Sequence, residues 1–335
     1  MTSERFCRLG VIGGGAWGTA LAQQSARNGN KALIWAREPE VVEAINGRAE
    51  NDVFLPGVSL TENVTATSKF EDVAACEALI FVAPAQFARG MFEKLAGLKS
   101  GPWPVLLCSK GIELTTGLLL TDVLDDVWPS AIPAVLSGPS FAKDVAEGKP
   151  TAVALACRET DLGHRWVATI GSQTFRPYLV NDLVGVELGG AVKNVIAIAA
   201  GAVDGAGLGE SARAAIISRG YAEFRRIGAA MGANPQTMAG LSGLGDLILT
   251  ATSERSRNMS LGQALGRGRT MVEIMGERTT VSEGIATAEA VVTLAKSKGV
   301  DVPVCEAVAA LVSGRARFSD LVAGLLARPF RAGEA

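Results

Sequence analysis

The sequence predicts an α/β fold in which a doubly wound parallel sheet, residues 1–184, is followed by an all-α domain, residues 185–335. Up to about residue 180, short apolar runs of β type alternate with helical segments, which is typical of a parallel sheet with helices on both faces. Beyond about residue 184, Val and Thr runs give way to Ala, Gly, Leu and Ile at helical spacing. This change places a domain boundary between residues 180 and 190.

The strands of the first domain are predicted as short apolar runs that end at turn residues. These runs are residues 8–13, 31–36, 64–67, 78–82, 105–108, 134–136, 151–156 and 174–178. The first helix is predicted from Ala16 to Asn28, because one face is apolar and Gly29 follows as a stop signal. In the second domain, helical spacing predicts helices at residues 186–203, 211–231, 259–265 and 287–298.

The composition is that of a globular protein. The 335 residues are 48% hydrophobic and 20% charged, which is enough to bury a sizeable core, and the net charge of −2 argues against a duplex nucleic-acid surface. The N-terminus lacks the long apolar core of a signal peptide, and the most apolar run, residues 195–203, is far too short to span a bilayer. We therefore expect a soluble cytoplasmic protein.

Metal and disulfide chemistry are not expected. The five cysteines are scattered and form no CxxC pair, which argues against a disulfide framework and against a zinc site. The single histidine, His164, lies in a polar, turn-like stretch. A histidine metal cluster and a histidine base are therefore not expected either.

A glycine-rich turn follows the first predicted strand and opens the first predicted helix. In the run from Gly13 to Gly18, Gly13 permits a tight turn, Gly15 lets the backbone approach a pyrophosphate, and Gly18 lets helix and strand pack closely. The start of the helix then offers N–H groups and a partial positive charge to the anion. The sequence therefore predicts a Rossmann-type dinucleotide site; the alternative is a glycine-rich turn without a ligand.

The residue after the second strand indicates which dinucleotide is bound. An NAD-selective site usually places Asp or Glu there, whereas this chain has Arg37, which accommodates a 2′-phosphate. We therefore expect NADP to be preferred, with NAD as the second cofactor. Glu38 is adjacent, and the alternative is that Arg37 stacks on adenine or lies in solvent.

Polar residues follow two other strands at the edge of the sheet where ligands bind. Lys110 comes just after the strand at residues 105–108, and Gly138 and Ser140 come just after the strand at residues 134–136. They are candidate site residues, although a loop lysine such as Lys110 can equally be solvated.

Two charged residues stand in apolar surroundings in the second domain. Lys193 lies in a helix that is apolar nearly all round, and a buried lysine costs several kcal/mol unless it is paired or lies in a polar pocket. Burial also lowers the pKa of a lysine, which suits proton transfer near neutral pH. Asp246 is the obvious partner; the alternatives are a snorkelling Lys193 and a helix-capping Asp246.

A further polar cluster, residues 253–258 (Ser-Glu-Arg-Ser-Arg-Asn), combines two arginines with hydroxyls and an amide. Arginine binds phosphate and carboxylate groups in bidentate fashion, so this cluster is a candidate anion site. Taken alone, a solvated charged loop is the favoured interpretation of this stretch.

Together these motifs resemble the bacterial NAD(P)-dependent glycerol-3-phosphate dehydrogenases. The matching stretches appear in order, and those with the most specific spacing are GPSFA at residues 138–142 and GAxKN at residues 190–194. The others are Gly13-x-Gly15-x-x-Gly18-Thr19-Ala20-Leu21, Ser109-Lys110-Gly111, Gly243-x-Gly245-Asp246, Ser256-Arg257-Asn258 and Val281-x-Glu283-Gly284.

The resemblance implies a role for each matching position. Lys193 is implied as the proton donor or acceptor, with Lys110 and Asp246 beside it as further catalytic residues. The implied substrate ligands are Lys110, Gly138, Ser140, Lys193, Asp246, Ser256, Arg257 and Asn258. The implied cofactor ligands are Gly13, Gly15, Ala16, Trp17, Gly18, Arg37, Phe54, Lys110, Ala142, Arg257, Val281 and Glu283, and no metal is implied. Family members often carry Ser at the position of Ala16, so one hydroxyl contact to phosphate is lost here.

The reaction implied is the reversible reduction of dihydroxyacetone phosphate to sn-glycerol 3-phosphate, which supplies glycerophospholipid synthesis. A homodimer is implied as well, and the active site is expected between the two domains. Two alternatives remain: a related hydroxyacid or ketopantoate-type NADP reductase, and a dinucleotide-sensing module without turnover. The cluster at residues 256–258 favours a phosphorylated substrate over the first, and the charged residues Lys193 and Asp246 argue against the second.

Overall fold

The computed structural model of the chain describes residues 4–277 and 283–326. The chain divides into two compact units. The first comprises the residues up to Ser109 together with Leu120–Val186. The second comprises Lys110–Leu119 together with the residues from Glu187 onward, so a short excursion after the fifth strand groups with the helical part of the chain.

The first unit is built on one eight-stranded sheet with the strand order β3-β2-β1-β4-β5-β6-β7-β8. Central strands such as β1 and β4 are buried along nearly their whole length, which explains why they are continuous apolar runs and not alternating ones. The strands are β1 (Arg8–Ile12), β2 (Lys31–Trp35), β3 (Val64–Thr67), β4 (Ala78–Phe81), β5 (Trp103–Leu107), β6 (Ala131–Ser137), β7 (Thr151–Cys157) and β8 (Phe175–Val180).

The sheet is parallel except at one pair, β6 and β7. The sequence predicted a wholly parallel sheet. The connection from β6 to β7 contains only a five-residue helix, so the chain returns beside β6 without a full crossover and β7 runs antiparallel. The order of β1 to β6 reverses direction between β1 and β4, and ligands bind outside the carboxyl ends of the strands at such a point.

Helices cover the sheet and enclose an apolar core that contains the side chains of Leu9, Ile34, Ile80 and Trp166. The first-unit helices are α1 (Ala16–Arg27), α2 (Pro39–Arg48), α3 (Phe70–Ala74), α4 (Ala88–Leu98), α5 (Leu120–Val127), α6 (Ala142–Ala146) and α7 (Thr160–Ile170), with a 3₁₀ turn at Ala85–Phe87.

Apart from residues 110–119, the described part of the second unit is helical. Its helices are α8 (Leu183–Gly205), α9 (Glu210–Ala230), α10 (Pro235–Ala239), α11 (Asp246–Thr252), α12 (Arg257–Gly266), α13 (Met271–Glu277), α14 (Glu283–Ser297), α15 (Pro303–Val312) and α16 (Phe318–Leu326). A π turn, Leu241–Gly245, precedes α11. The predicted fold class, a doubly wound sheet followed by a helical domain, is confirmed.

Helix α8 is the central helix of the second unit. It is 23 residues long and apolar enough by composition to cross a membrane, but 94% of its most apolar window is buried inside the protein. The apolar run 195–203, predicted to be too short to span a bilayer, is only part of this longer helix. Its burial is that of a core helix.

Glycines let α8 pack directly on α12. A Cβ atom added at Gly201 would lie 2.1 Å from the carbonyl oxygen of Met259, and one added at Gly262 would lie 2.1 Å from that of Ile198. Because both backbones are in contact here, side chains larger than hydrogen cannot be accommodated without separating the helices. This contact fixes the start of α12 relative to α8.

Candidate active site

The turn from β1 into α1 is closed at its ends and open in the middle. Gly13 has φ of +124°, and a Cβ at Gly18 would lie 2.0 Å from the carbonyl oxygen of Gly13. By contrast, a Cβ at Gly15 would meet no atom within 4 Å. The phosphate groups of a ligand can therefore approach the backbone at Gly15, while the two other glycines are needed for packing.

The start of α1 has the features of an anion site. Gly15 is its N-cap and no side chain caps the first N–H groups, so these groups and the helix dipole are directed at the open side of the turn. The indole N–H of Trp17 is buried and has no hydrogen-bond partner within the described ranges. The uncapped N–H groups and the open glycine together fit the pyrophosphate of a dinucleotide.

Two further predicted cofactor residues lie in the same unit. Arg37 follows β2; its side chain is 76% exposed and pairs with Glu38 at 2.9 Å. Phe54 is half-buried against the core, and its backbone N–H donates to Oδ1 of Asn51 at 3.1 Å. An exposed ion pair such as that of Arg37 contributes little, so the guanidinium can exchange Glu38 for an anionic ligand.

The turn after β6 holds the predicted residues Gly138, Ser140 and Ala142. A Cβ at Gly138 would lie 2.8 Å from the Cα of Val153, so the backbone there requires glycine. The Ser140 hydroxyl donates to the Gly138 carbonyl at 3.0 Å, and Ala142 begins α6. Since β1 and β6 run parallel within the sheet, this turn lies at the same sheet edge as the glycine turn after β1.

In the second unit, one carboxylate joins two lysines. Nζ of Lys193 lies 2.5 Å from Oδ1 of Asp246, and Nζ of Lys110 lies 2.8 Å from Oδ2 of the same carboxylate. Lys193 is 7% exposed and Asp246 is fully buried. The structure thus contains the pair of Lys193 and Asp246 that the sequence predicts and adds Lys110 to it, so that the carboxylate is shared between the two ammonium groups.

Thr250 completes this group, and the four residues Lys110, Lys193, Asp246 and Thr250 form the lysine–aspartate cluster. Nζ of Lys193 donates to Oγ1 of Thr250 at 3.0 Å, and Thr250 is buried. Thr250 is not among the residues that the sequence predicts for the site. A signal was present, because Thr250 follows Asp246 by four residues and two such residues share one face of a helix.

Backbone contacts set the separation of Lys193 and Asp246. A Cβ at Gly189, one turn before Lys193, would lie 2.5 Å from the carbonyl oxygen of Ser242 in the π turn. Ser242 in turn precedes Asp246 by four residues. Asp246 is the first residue of α11, and the N-cap of this helix is Gly245. The Asp246 carboxylate contacts the two lysines and does not cap the helix.

The electrostatics of the cluster are dominated by burial. Burial lowers the pKa of Lys193 to about 7; the Asp246 carboxylate raises this pKa, and the second ammonium, that of Lys110, lowers it further. A lysine in this state exchanges a proton readily near neutral pH.

The predicted anion cluster starts α12. Ser256 is the N-cap, and its Oγ accepts from the N–H of Met259 at 3.2 Å. Nδ2 of Asn258 donates to Oδ1 of Asn194 at 2.9 Å, and Oδ1 of Asn258 is buried without a hydrogen-bond partner among the described residues. Because Asn194 is the neighbour of Lys193, the start of α12 is tied to the lysine–aspartate cluster.

Glu283 begins α14 and interacts with the same group of charges. The pKa of its carboxyl is raised because the group is buried, and the positive charges of Arg257, Lys110 and Lys193 only partly oppose this effect. Val281, the other residue predicted for this part of the cofactor site, lies outside the described residues.

Comparisons with known proteins agree over nearly the whole chain. Two family models match: the NAD-dependent glycerol-3-phosphate dehydrogenase N-terminus over residues 8–163, and the corresponding C-terminus over residues 182–323. A glycerol-3-phosphate dehydrogenase [NAD(P)+] of Parvibaculum lavamentivorans is 54% identical over 326 residues, which cover 97% of this chain and 98% of that protein.

Solved structures give the same result. The crystal structure of glycerol-3-phosphate dehydrogenase from Coxiella burnetii has a TM-score of 0.93 and 32% identity, and the match covers 97% of this chain and 99% of that chain. A ketopantoate reductase from Ralstonia eutropha shares the fold alone, with a TM-score of 0.62 and 16% identity over 91% of this chain and 97% of that chain. The chain therefore belongs to the family of NAD-dependent glycerol-3-phosphate dehydrogenases.

Proposed function

We propose that this chain, an NAD(P)-dependent glycerol-3-phosphate dehydrogenase, reduces dihydroxyacetone phosphate to sn-glycerol 3-phosphate in a reversible reaction, with Lys193 as proton donor and acceptor. The observation that carries the proposal is the buried contact of Lys193 with Asp246 at 2.5 Å, with Lys110 on the other carboxylate oxygen. The product is the glycerol phosphate backbone that glycerophospholipid synthesis uses.

Lys193 performs the proton transfer in this mechanism. The nicotinamide supplies the hydride that C2 of the ketone receives. As negative charge develops on the C2 oxygen, the Lys193 ammonium stabilises it and then delivers a proton to it. In the reverse direction, the neutral amine of Lys193 accepts the proton of the C2 hydroxyl.

The neighbours of Lys193 prepare it for this role. Asp246 and Thr250 occupy two of the three donor positions of its ammonium, at 2.5 and 3.0 Å, and so direct the third. Lys110 shares the carboxylate and adds positive charge beside the reacting oxygen. Because Lys193 and Asp246 are buried and the Lys110 side chain is only 13% exposed, their charges act with little screening by water.

The substrate phosphate is assigned to the start of α12. The Ser256 hydroxyl caps this helix, Arg257 supplies a guanidinium and Asn258 an amide, and the helix dipole favours an anion there. Gly138 and Ser140 are assigned to the substrate as well. Holding the phosphate, which does not react, positions the ketone for transfer.

The cofactor is assigned mainly to residues 1–184 and the substrate mainly to residues 185–335. Gly13, Gly15 and Gly18 with the start of α1 hold the pyrophosphate, and Arg37 holds a 2′-phosphate, so NADP is preferred over NAD. The remaining cofactor contacts are assigned to Ala16, Trp17, Phe54, Lys110, Ala142, Arg257, Val281 and Glu283. We further propose that the enzyme is a cytoplasmic homodimer.

Substrate choice tests the proposal directly. The purified protein is expected to consume NADPH, followed by its absorbance, with dihydroxyacetone phosphate and not with ketopantoate. Turnover with ketopantoate alone would favour a ketopantoate-type reductase. Binding of NADPH without oxidation by either ketone would favour a sensing module.

Replacing Lys193 tests the proton transfer. Lys193→Ala is expected to lower kcat by about 10²–10⁴-fold, because general acid catalysis contributes about that much, while NADPH still binds. Lys298→Ala serves as the control, because it replaces an exposed lysine that directly follows the last residue of α14. This variant should retain the wild-type kcat. Wild-type turnover in Lys193→Ala would rule out the proton-transfer role.

Replacing Arg37 tests the preference for NADP. Arg37→Ala is expected to raise KM for NADPH about tenfold, since a charge-assisted contact to the 2′-phosphate contributes about 1.5 kcal/mol, and to leave KM for NADH unchanged. Arg48→Ala is the matched control, because Arg48 is also exposed and paired with a carboxylate, that of Asp52. Equal effects of Arg37→Ala on both cofactors would contradict the assignment.

A further inference from the structure

A buried amide side chain holds the carbonyl group of the glycine turn. Nδ2 of Asn51 donates to the carbonyl oxygen of Gly14 at 2.8 Å and to Oγ1 of Thr19 at 2.8 Å. Its Oδ1 accepts from the backbone N–H of Phe54 at 3.1 Å. Asn51 is fully buried, so both of its donors and its acceptor are used inside the protein.

The bond to Gly14 fixes the orientation of one peptide group. In a trans peptide, the carbonyl group and the following N–H group point in opposite directions. Holding the Gly14 carbonyl on the Asn51 side therefore directs the Gly15 N–H to the opposite side of that peptide plane. Gly15 is the open position of the turn, where an added Cβ would meet no atom within 4 Å.

The loop that contains Asn51 is held in place by contacts other than those of the Asn51 side chain. That loop is closed by a bridge between Glu50 and Ser59 and by the bond from the Leu60 N–H to the Ala49 carbonyl at 2.7 Å. Gln23 of α1 binds the same loop a second time, donating to the Ser59 carbonyl at 3.2 Å and accepting from the Thr61 N–H at 2.9 Å. The bond from Asn51 to Gly14 thus serves the glycine turn.

We infer that Asn51 is a positioning residue for the cofactor: it presets the Gly14–Gly15 peptide for a pyrophosphate and couples that peptide to the segment that bears Phe54. The inference rests on the proposed cofactor role of the glycine turn. Without the Asn51 donors, the one contact left to the Gly14 carbonyl among the described residues is the weaker one with Oγ1 of Thr19 at 3.5 Å. The glycine backbone then gains freedom that ligand binding must restrict.

The test compares cofactor affinity with stability in two asparagine variants. Asn51→Ala is expected to raise the Kd for NADPH, measured by titration calorimetry, by about tenfold, the equivalent of about 1.4 kcal/mol. Its kcat at saturating NADPH should remain within about twofold of wild type. Asn46→Ala is the matched control, because Asn46 also makes two bonds to backbone, with the N–H and carbonyl of Ala66, but none to the glycine turn. It is expected to lower Tm without changing the Kd.

The binding of a cofactor fragment shows which part of NADPH the Asn51 side chain affects. 2′-Phospho-ADP-ribose contains the pyrophosphate but no nicotinamide, so Asn51→Ala should weaken its binding by the same factor as that of NADPH. Asn51→Asp keeps the shape of the side chain but lacks its donors, and it should weaken both ligands in the same direction. A loss confined to NADPH would overturn the assignment to the pyrophosphate.

The remaining outcomes separate this inference from the function it rests on. If wild-type protein does not bind NADPH, the proposed function fails. If wild type binds and folded Asn51→Ala binds equally well, only the positioning role fails. If neither Asn51 variant folds while Asn46→Ala does, Asn51 serves the fold as a whole and the inference is overturned.

Discussion

The carboxylate of Asp246 balances two ammonium groups in the interior of the second unit. An unpaired buried charge costs several kcal/mol, so Lys193 can occupy the middle of the apolar helix α8 only because a carboxylate oxygen lies 2.5 Å from it. Lys110 takes the second oxygen at 2.8 Å. With both lysines protonated the group carries one net positive charge, which suits a ketone that becomes an alkoxide beside a phosphate.

This ion pair depends on close backbone packing. Lys193 and Asp246 each lie one turn beyond a contact between Gly189 and Ser242, in which a Cβ on the glycine would be 2.5 Å from a carbonyl oxygen. Farther along α8, Gly201 allows similar contact with α12, whose first residues are the proposed phosphate ligands. Glycines in α8 therefore set the distances from Lys193, the proposed proton donor, both to its carboxylate partner and to the proposed anion site, although they contribute no functional group themselves.

Much of this arrangement follows from the sequence because burial and chemistry conflict at a few positions. Lys193 and Asp246 are charged residues in apolar helical runs, and such residues need a partner. Thr250 was missed because a buried threonine creates no such conflict, and Asn51 because a polar loop residue is unremarkable until its partners are known. The grouping of residues 110–119 with the second unit, the π turn and the antiparallel β7 depend on contacts distant in sequence, which periodicity does not report.

The pH dependence of kcat/KM, measured in both directions, tests the role of Lys193 most directly, because kcat/KM reports the pKa of the free enzyme. Burial lowers that pKa to about 7, with Asp246 opposing and Lys110 adding to the effect. Reduction needs the ammonium form, so its kcat/KM should be constant below this pKa and fall about tenfold per pH unit above it. Oxidation needs the neutral amine and should rise to a plateau over the same range. A reduction rate that stays constant from about pH 7 to pH 9, where the substrate phosphate no longer titrates, would contradict the account.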